Sequence, residues 1–205
     1  MRWEQDLNLD IRLNNHFDYL DTPFGVLELI PKDNSVEFSL CNHQALHMAI
    51  SECGGDCNHV LEIGVCRNEQ KSSTYTILKY LEKSSNPVYL GIDLNDKSFL
   101  DDAKKGIYTL KENSSNYDVI CEKLKSLRVE QLDFILIDGW HSINQILDDW
   151  EFVNLLRPNG VVAFHDVTSH PGPHYFINNL NKIKWKVVKN LCPHDNGFGY
   201  AIKLP

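Results

Sequence analysis

From residue 42 onwards, short apolar runs alternate with segments in which apolar residues recur three or four positions apart. A short apolar run predicts a buried strand, and the wider spacing predicts a helix with one apolar face. The predicted strands are 59–65, 88–94, 106–112, 132–139, 160–167, 185–191 and 197–204. The predicted helices are 42–53, a short one at 97–105, and 72–84, 117–127, 142–156 and 173–183.

Strands that alternate with helices indicate βαβ units and a mostly parallel sheet covered on both faces. The last two predicted strands are joined only by a short segment, so they should pair antiparallel. We therefore predict an α/β fold: a Rossmann-like, doubly wound, mostly parallel seven-stranded sheet with a C-terminal antiparallel hairpin. Residues 1–205 are expected to form one domain, with a core at 42–205. Residues 1–41 are expected to be an extension that carries a possible hairpin between 24–30 and 35–40.

The charge and hydropathy of the 205 residues exclude several kinds of partner. A net charge of -8 and the absence of any Lys/Arg run argue against nucleic acid. No segment reaches the ~18 apolar residues that suggest a membrane span, and the N-terminal sequence shows no apolar signal region. The six cysteines are accordingly expected to be reduced thiols in a cytoplasmic protein.

A zinc site is one alternative that the cysteines raise. Cys53 and Cys57 lie in "CGGDC", and His43 and His47 are one helical turn apart just upstream. The spacing is a loose match to known zinc sites. A helix end followed by a Gly-Gly turn is the favoured interpretation.

Glu62, Gly64 and Asp93, at the ends of the first two predicted strands, suggest a nucleoside ligand. In open parallel sheets, ligands lie beyond the carboxyl ends of the strands. Gly64 leaves room for close approach to the backbone, and Asp93 stands where such sheets bind ribose hydroxyls, although it could also cap a helix or turn. The segment "GVCRNE" has one glycine only, and Glu62 would repel a phosphate, so a dinucleotide such as NAD is disfavoured. Together these residues suggest a nucleoside ligand without phosphates, and S-adenosylmethionine meets that description.

The segments "VLEIGV", "YLGIDLND", "FILIDGWHSINQILDDWEFVNLLRPNGVVAFHDV" and "GFGYAIK" resemble the class I S-adenosylmethionine-dependent methyltransferases. More closely, they are similar to methyltransferase family 24, with kinship to catechol-type O-methyltransferases. The resemblance covers about residues 42–204, and 132–167 is its most specific part. It implies O-methylation of a small hydroxylated acceptor, such as a sugar or metabolite. A possible homo-oligomer rests on the apolar N-terminal hairpin, which could mediate a dimer. A non-catalytic cofactor-binding module is the main alternative, and an NAD-dependent oxidoreductase a weaker one.

The resemblance also assigns roles to residues. It implies cofactor contacts from Glu62, Gly64, Asp93, Asn113, Ser114 (or Ser115), Asp138 and Trp140. It implies a divalent metal, such as magnesium or manganese, held by Asp138, His165 and Asp166. His141 stands where catechol-type enzymes carry a lysine base, so it would take the acceptor proton, with Asp138 beside it as the second catalytic residue. The imidazole of His165 replaces an acid, which favours manganese, iron or zinc over magnesium.

Each of these assignments has a structural alternative. His165 could be a buried histidine bonded to a backbone carbonyl. His141 could face solvent at a helix entry capped by Ser142. Asp149 could bond a histidine near the metal or, with Asp148, belong to a solvated helix face. Residues 168–176 could form a lid over the site, with His170 and His174 as further polar candidates.

Overall fold

A seven-stranded sheet organises the part of the chain that the structure describes. The structure is a computed structural model, and it describes residues 21–22, 25–26, 42–54, 56–66, 72–189 and 196–205. Its strands are β1 (Asp21–Thr22), β2 (Gly25–Val26), β3 (His59–Ile63), β4 (Val88–Asp93), β5 (Ile107–Lys111), β6 (Leu132–Ile137), β7 (Leu156–His165), β8 (Trp185–Val188) and β9 (Phe198–Lys203). Its α-helices are α1 (Asn42–Ser51), α2 (Ser73–Leu81), α3 (Tyr117–Ser126), α4 (Ile143–Asp149) and α5 (Pro171–Asn179).

The strand order across the sheet is β5-β4-β3-β6-β7-β9-β8. Strands β3 to β7 are parallel, and β9 runs antiparallel to both β7 and β8. The predicted mostly parallel sheet with an antiparallel C-terminal hairpin is thus confirmed. In the register, Ile63 lies beside Ile92 of β4 and Ile137 of β6. The residues that follow these three positions therefore reach the same edge of the sheet.

The two faces of the sheet are both buried, as the near-continuous apolar strands predict. Along β6, Ile135 and Ile137 face one core and Phe134 and Leu136 face the other. Helices α3, α4 and α5 cover the first face, and α1 and α2 cover the second. This doubly wound arrangement leaves the carboxyl ends of the central strands accessible to a ligand.

Two predicted elements differ from the structure. The segment 142–156 is an α-helix only to Asp149 and continues as a 3-10 helix over Trp150–Leu155. Trp150, Phe152 and Val153 are all buried there, so core packing on more than one side overrides the single-face pattern. The segment 97–105 forms two 3-10 turns, Ser98–Leu100 and Ala103–Lys105, rather than one short helix.

Most of the predicted N-terminal hairpin, 24–30 with 35–40, lies outside the described residues. Within this region the structure describes Asp21–Thr22 paired antiparallel with Gly25–Val26. No helix in the described ranges is both long and apolar enough to cross a membrane.

The cysteines near α1 belong to the core. Cys53 and Cys57 are buried free thiols, and Cys53 Sγ donates a hydrogen bond to Asp133 O at 3.4 Å. The contact with Cys57 and burial raise the pKa of the Cys53 thiol far above its usual range. Within the described residues, the side-chain groups with metal-site geometry do not include these cysteines.

Candidate active site

A cavity of about 880 Å³ lies at the carboxyl ends of β3, β4, β6 and β7. Ligand pockets commonly occupy ~300–1,000 Å³, so this volume suits a nucleoside-sized molecule together with a second small one. All of the predicted site residues except Glu62 line it: Gly64, Asp93, Asn113, Ser114, Asp138, Trp140, His141, His165 and Asp166. The topology therefore brings together residues as far apart in the chain as Gly64 and Asp166.

Position 64 requires a glycine because it lies against the backbone of Asp138, which directly follows β6. Its φ is +88°, and an added Cβ would lie 2.1 Å from the carbonyl oxygen of Asp138. Asp138 N in turn donates to Ile63 O at 2.8 Å. Because Gly64 has no side chain, the backbone of Asp138 can lie this close to β3, where the hydrogen bond to Ile63 holds it.

Glu62 lies behind the cavity wall rather than in it. Its carboxylate is fully buried and accepts hydrogen bonds from Ser73 Oγ at 2.7 Å, from Thr74 Oγ1 at 2.8 Å and from the Tyr89 hydroxyl. Burial raises the pKa of Glu62 to about 7, although the three hydroxyl donors oppose the shift. The geometry gives Glu62 a structural task, since it anchors the start of α2 against β3 and β4.

Asp93 ends β4 with its carboxylate held by backbone groups. Val65 N donates to Oδ2 at 3.1 Å, and Asn95 N donates to Oδ1 at 2.7 Å. Lys97 Nζ lies 3.7 Å from Oδ2 and also lines the cavity. Asp93 is therefore both a turn residue and a negatively charged, oriented group at the cavity wall.

A polar network connects the loop after β5 to α4. Ser114 is buried and accepts from Gln145 Nε2 at 3.0 Å, and Gln145 Nε2 also donates to Asp149 Oδ1 at 2.9 Å. Ser115 instead donates to Asp148 Oδ2 at 2.9 Å and is exposed. Of the two serines, Ser114 is the one that lines the cavity.

Asp149 contradicts the expectation of a solvated helix face, whereas Asp148 is exposed as expected. Asp149 is fully buried, and its Oδ2 has no hydrogen-bond partner among the described residues. Burial raises its pKa to about 7 against the hydrogen bonds from Ser114 and Gln145. Gln145 was missed in the sequence, although its i, i+4 spacing to Asp149 placed both on one helix face.

Asp166 is the centre of a cluster of imidazoles. Its φ is +62°, a left-handed conformation that Asp tolerates better than most residues, and it turns the chain sharply after β7. Asp166 Oδ1 lies 2.8 Å from His165 Nδ1, and Oδ2 lies 3.0 Å from His141 Nδ1 and 3.6 Å from His170 Nδ1. Burial alone would raise the pKa of Asp166, but the contacts with His165, His141 and His170 hold it below the usual range.

Asp138, His165 and Asp166 have the geometry of a divalent-metal site. Asp138 Oδ1 lies 3.5 Å from His165 Nδ1, and one ligand atom from each of the three lies within 4.8 Å of the others. Neighbouring ligands around an octahedral ion at ~2.1 Å are separated by ~3.0 Å, so only small shifts would be needed. These residues fit such an ion.

The second ring nitrogen of His165 has a partner that the sequence did not reveal. Asn42 is the first residue of α1, and its Nδ2 lies 2.5 Å from His165 Nε2. Metal-ligating histidines usually have their other nitrogen held in this way. A carboxamide can donate or accept, so its orientation selects which ring nitrogen carries the proton.

His141 faces the cluster. Ser142 does cap α4, accepting from Gln145 N at 3.0 Å, but the His141 side chain is only 14% exposed. Its Nε2 lies 3.7 Å from Asp138 Oδ1 and has no hydrogen-bond partner among the described residues. Trp140 lines the cavity beside it with 46% of its surface exposed.

The segment 168–176, expected as a possible lid, packs into the fold. Thr168, Ser169, Pro171, Gly172 and Pro173 are buried. Gly172 N donates to His141 O at 3.1 Å, and a Cβ at Gly172 would lie 2.4 Å from that same oxygen. The start of α5 is therefore fixed against the backbone of His141.

Comparisons with known proteins agree with the geometry. The model of methyltransferase family 24, described as a methyltransferase domain, matches residues 61–167. A comparison with curated proteins gives no match.

Three similar solved structures are also methyltransferases. MycE from the mycinamycin biosynthetic pathway, in complex with Mg, S-adenosylhomocysteine (SAH) and mycinamycin VI, is 16% identical with a TM-score of 0.53 over 79% of this chain. CalS11, a TDP-rhamnose 3′-O-methyltransferase, is 11% identical with a TM-score of 0.57 over 78% of both chains. An rRNA methylase from Streptococcus thermophilus is 11% identical with a TM-score of 0.51 over 80% of this chain and 94% of its own. The chain spans about half of MycE, 48% of its length.

Proposed function

Since the chain belongs to methyltransferase family 24 of the class I S-adenosylmethionine-dependent methyltransferases, we propose that it transfers a methyl group from S-adenosylmethionine to a hydroxyl oxygen of a small acceptor. The reaction forms an O–CH3 bond and breaks the S–CH3 bond of the sulfonium. S-adenosylhomocysteine leaves, and the acceptor's proton passes to a base. The residues of the cavity supply what each of these events requires.

The donor would be held along the carboxyl ends of β3, β4 and β5. Asp93 is oriented by Val65 N and Asn95 N, and a fixed carboxylate is suited to accept hydrogen bonds from a ribose diol. Asn113 and Ser114 line the neighbouring part of the cavity, where they would contact the adenine. A negative carboxylate at Asp138 and the half-exposed ring of Trp140 favour the positive sulfonium.

The single observation that carries the proposal is the orientation of His141. Asp166 lies against its Nδ1, and among the described residues Nε2 has no hydrogen-bond partner, with Asp138 Oδ1 3.7 Å away. The side chain lines the cavity. A base oriented by a carboxylate on one nitrogen, with its other nitrogen not engaged in a hydrogen bond, is the arrangement that general-base catalysis needs. His141 would therefore take the acceptor's proton at Nε2.

Asp138, His165 and Asp166 would hold a divalent ion. Such an ion lowers the pKa of a hydroxyl that it binds. Asp138 would then both bind the ion and lie next to the base, since its Oδ1 is 3.7 Å from His141 Nε2. The negative net charge and the partly apolar cavity of about 880 Å³ favour a small hydroxylated molecule, such as a sugar or metabolite, over nucleic acid. CalS11 is a TDP-rhamnose 3′-O-methyltransferase, and the MycE structure contains mycinamycin VI.

Asp138→Ala separates an enzyme from a non-catalytic binding module. We expect the variant to retain affinity for S-adenosylhomocysteine within a few fold, measured by calorimetry. Release of S-adenosylhomocysteine with a panel of nucleotide sugars, catechols and a ribosomal RNA fragment should be abolished. If the wild-type chain binds the product but methylates none of these, the binding module is favoured. Turnover by Asp138→Ala equal to that of the wild-type chain would overturn the proposed site.

A further inference from the structure

A second group of metal-ligand type lies beside the first and shares Asp166 with it. His141, His170 and Asp166 each place one ligand atom within 4.8 Å of the others. From this juxtaposition we propose that the chain has a nitrogen-rich site for Zn²⁺ or a similar transition-metal ion, formed by His141 Nδ1, His170 Nδ1 and Asp166 Oδ2. It is distinct from the site at Asp138, His165 and Asp166.

The distances are close to those of a formed site. His141 Nδ1 and His170 Nδ1 lie 3.0 Å and 3.6 Å from the same oxygen, Asp166 Oδ2. Neighbouring ligands of a tetrahedral zinc ion, at ~2.0–2.1 Å from the metal, are ~3.3 Å apart. The two nitrogen–oxygen distances are therefore within a few tenths of an ångström of what a tetrahedral ion needs, and water or another molecule would complete the shell.

The two sites use different oxygens of one carboxylate. Asp166 Oδ1 faces His165, whereas Oδ2 faces His141 and His170. The first site has two carboxylates and one imidazole, and the second has two imidazoles and one carboxylate. Imidazole-rich sets favour Zn²⁺, Cu²⁺ and Fe²⁺, while oxygen-rich sets suit Mg²⁺ and Mn²⁺. The second site should accordingly take zinc in preference to magnesium.

Local structure holds the second group in place. The rings of His141 and His170 pack with centroids 4.5 Å apart, and His170 directly precedes α5, whose Gly172 N is bonded to His141 O. Ser169 Oγ lies 3.0 Å from His170 Nδ1, so this hydroxyl must turn away when a metal binds. Because Asp166 is 6% exposed, little water competes for its carboxylate.

Occupation of this site would affect His141 chemically, and this consequence rests on the proposed function. An imidazole that binds a metal through Nδ1 keeps its proton on Nε2. Nε2 is the atom proposed to accept the acceptor's proton, so a zinc-loaded chain would lose its base. Zinc would therefore inhibit methyl transfer even when magnesium or manganese fills the first site.

Calorimetric titration of the full chain with ZnCl₂, without methyl donor or acceptor, tests the site itself. His170→Phe keeps the ring against His141 but removes the ligand, and we expect it to weaken zinc binding by at least about tenfold. His165→Asn should leave a zinc site of wild-type affinity, and the exposed His47→Gln is the matched control. No zinc binding by the wild-type chain, or equal affinity in His170→Phe, would overturn the proposal, as would a zinc site that only His165→Asn removes.

Anomalous scattering from wild-type crystals soaked with ZnCl₂ tests the same claim without any substitution. A peak between His141 and His170 is expected. A peak confined to Asp138 and His165 would overturn the proposal. Since neither measurement depends on turnover, zinc binding at His141 together with no methyl transfer by the zinc-free chain would count against the proposed function and leave the metal site standing.

Discussion

His141 Nδ1 lies 3.0 Å from Asp166 Oδ2, and His141 Nε2 has no hydrogen-bond partner in the part of the chain that the structure describes. A histidine in this arrangement has one nitrogen for orientation and one for proton transfer. His141→Gln should therefore lower kcat by ~10²–10⁴-fold, the usual contribution of a general base. Affinity for S-adenosylhomocysteine should change by no more than a few fold. Steady-state kinetics and calorimetry measure the two quantities, and His47→Gln is the control. A His141→Gln enzyme with wild-type kcat would exclude His141 as the base.

Gly64→Ala should destabilise the fold through one contact. The added Cβ would lie 2.1 Å from Asp138 O, which is a backbone atom and cannot rotate away. Gly54→Ala is the matched control, because Gly54 also has positive φ, +56°, but its nearest neighbour would be 3.9 Å from a Cβ. Urea unfolding should show a loss of about 1 kcal/mol for Gly54→Ala, from backbone conformation alone. The loss for Gly64→Ala should be at least about 3 kcal/mol. Equal losses would mean that the Gly64–Asp138 contact is not tight.

Glu62 should make stability fall as the pH rises. Its pKa is about 7 in the folded chain because of burial, against about 4.3 in an unfolded chain. Below the unfolded value both states are protonated and the contribution is fully present. As the pH rises towards 7 the unfolded chain ionises first, so stability is lost, by roughly 3 kcal/mol in total. Glu62→Gln cannot ionise and should lack this part of the slope.

Urea unfolding at several pH values between about 4.5 and 7 measures the effect of Glu62. The exposed Glu82→Gln should keep the wild-type slope. Asp149, also buried with a pKa of about 7, contributes equally to all three proteins. Identical slopes for wild type and Glu62→Gln would contradict the burial argument.

The positions of backbone elements and of the strand-end residues could be predicted because they follow from local patterns. Apolar runs located β3, β4, β6 and β7, and a parallel sheet then places Asp93 and Asp138 at one edge. Long-range side-chain partners carry no such pattern. Asn42 contacts His165, 123 positions away in the chain. Asp149 is a charged residue type that usually lies at the surface, yet packing buries it completely. The hydroxyls around Glu62 likewise come from α2 and β4, so its withdrawal from the cavity could not be foreseen from its place beside Gly64.

Calorimetric titration of the chain with S-adenosylhomocysteine tests the central claim most directly. Asp93→Asn keeps the size of the side chain but removes the charge that would accept the ribose hydroxyls, and the exposed Asp96→Asn is the control. We expect saturable one-to-one binding to the wild-type chain and to Asp96→Asn, and a loss of roughly tenfold or more in Asp93→Asn, as for a charged hydrogen bond. Absence of binding to the wild-type chain, or equal affinity in all three proteins, would contradict a donor site at the end of β4.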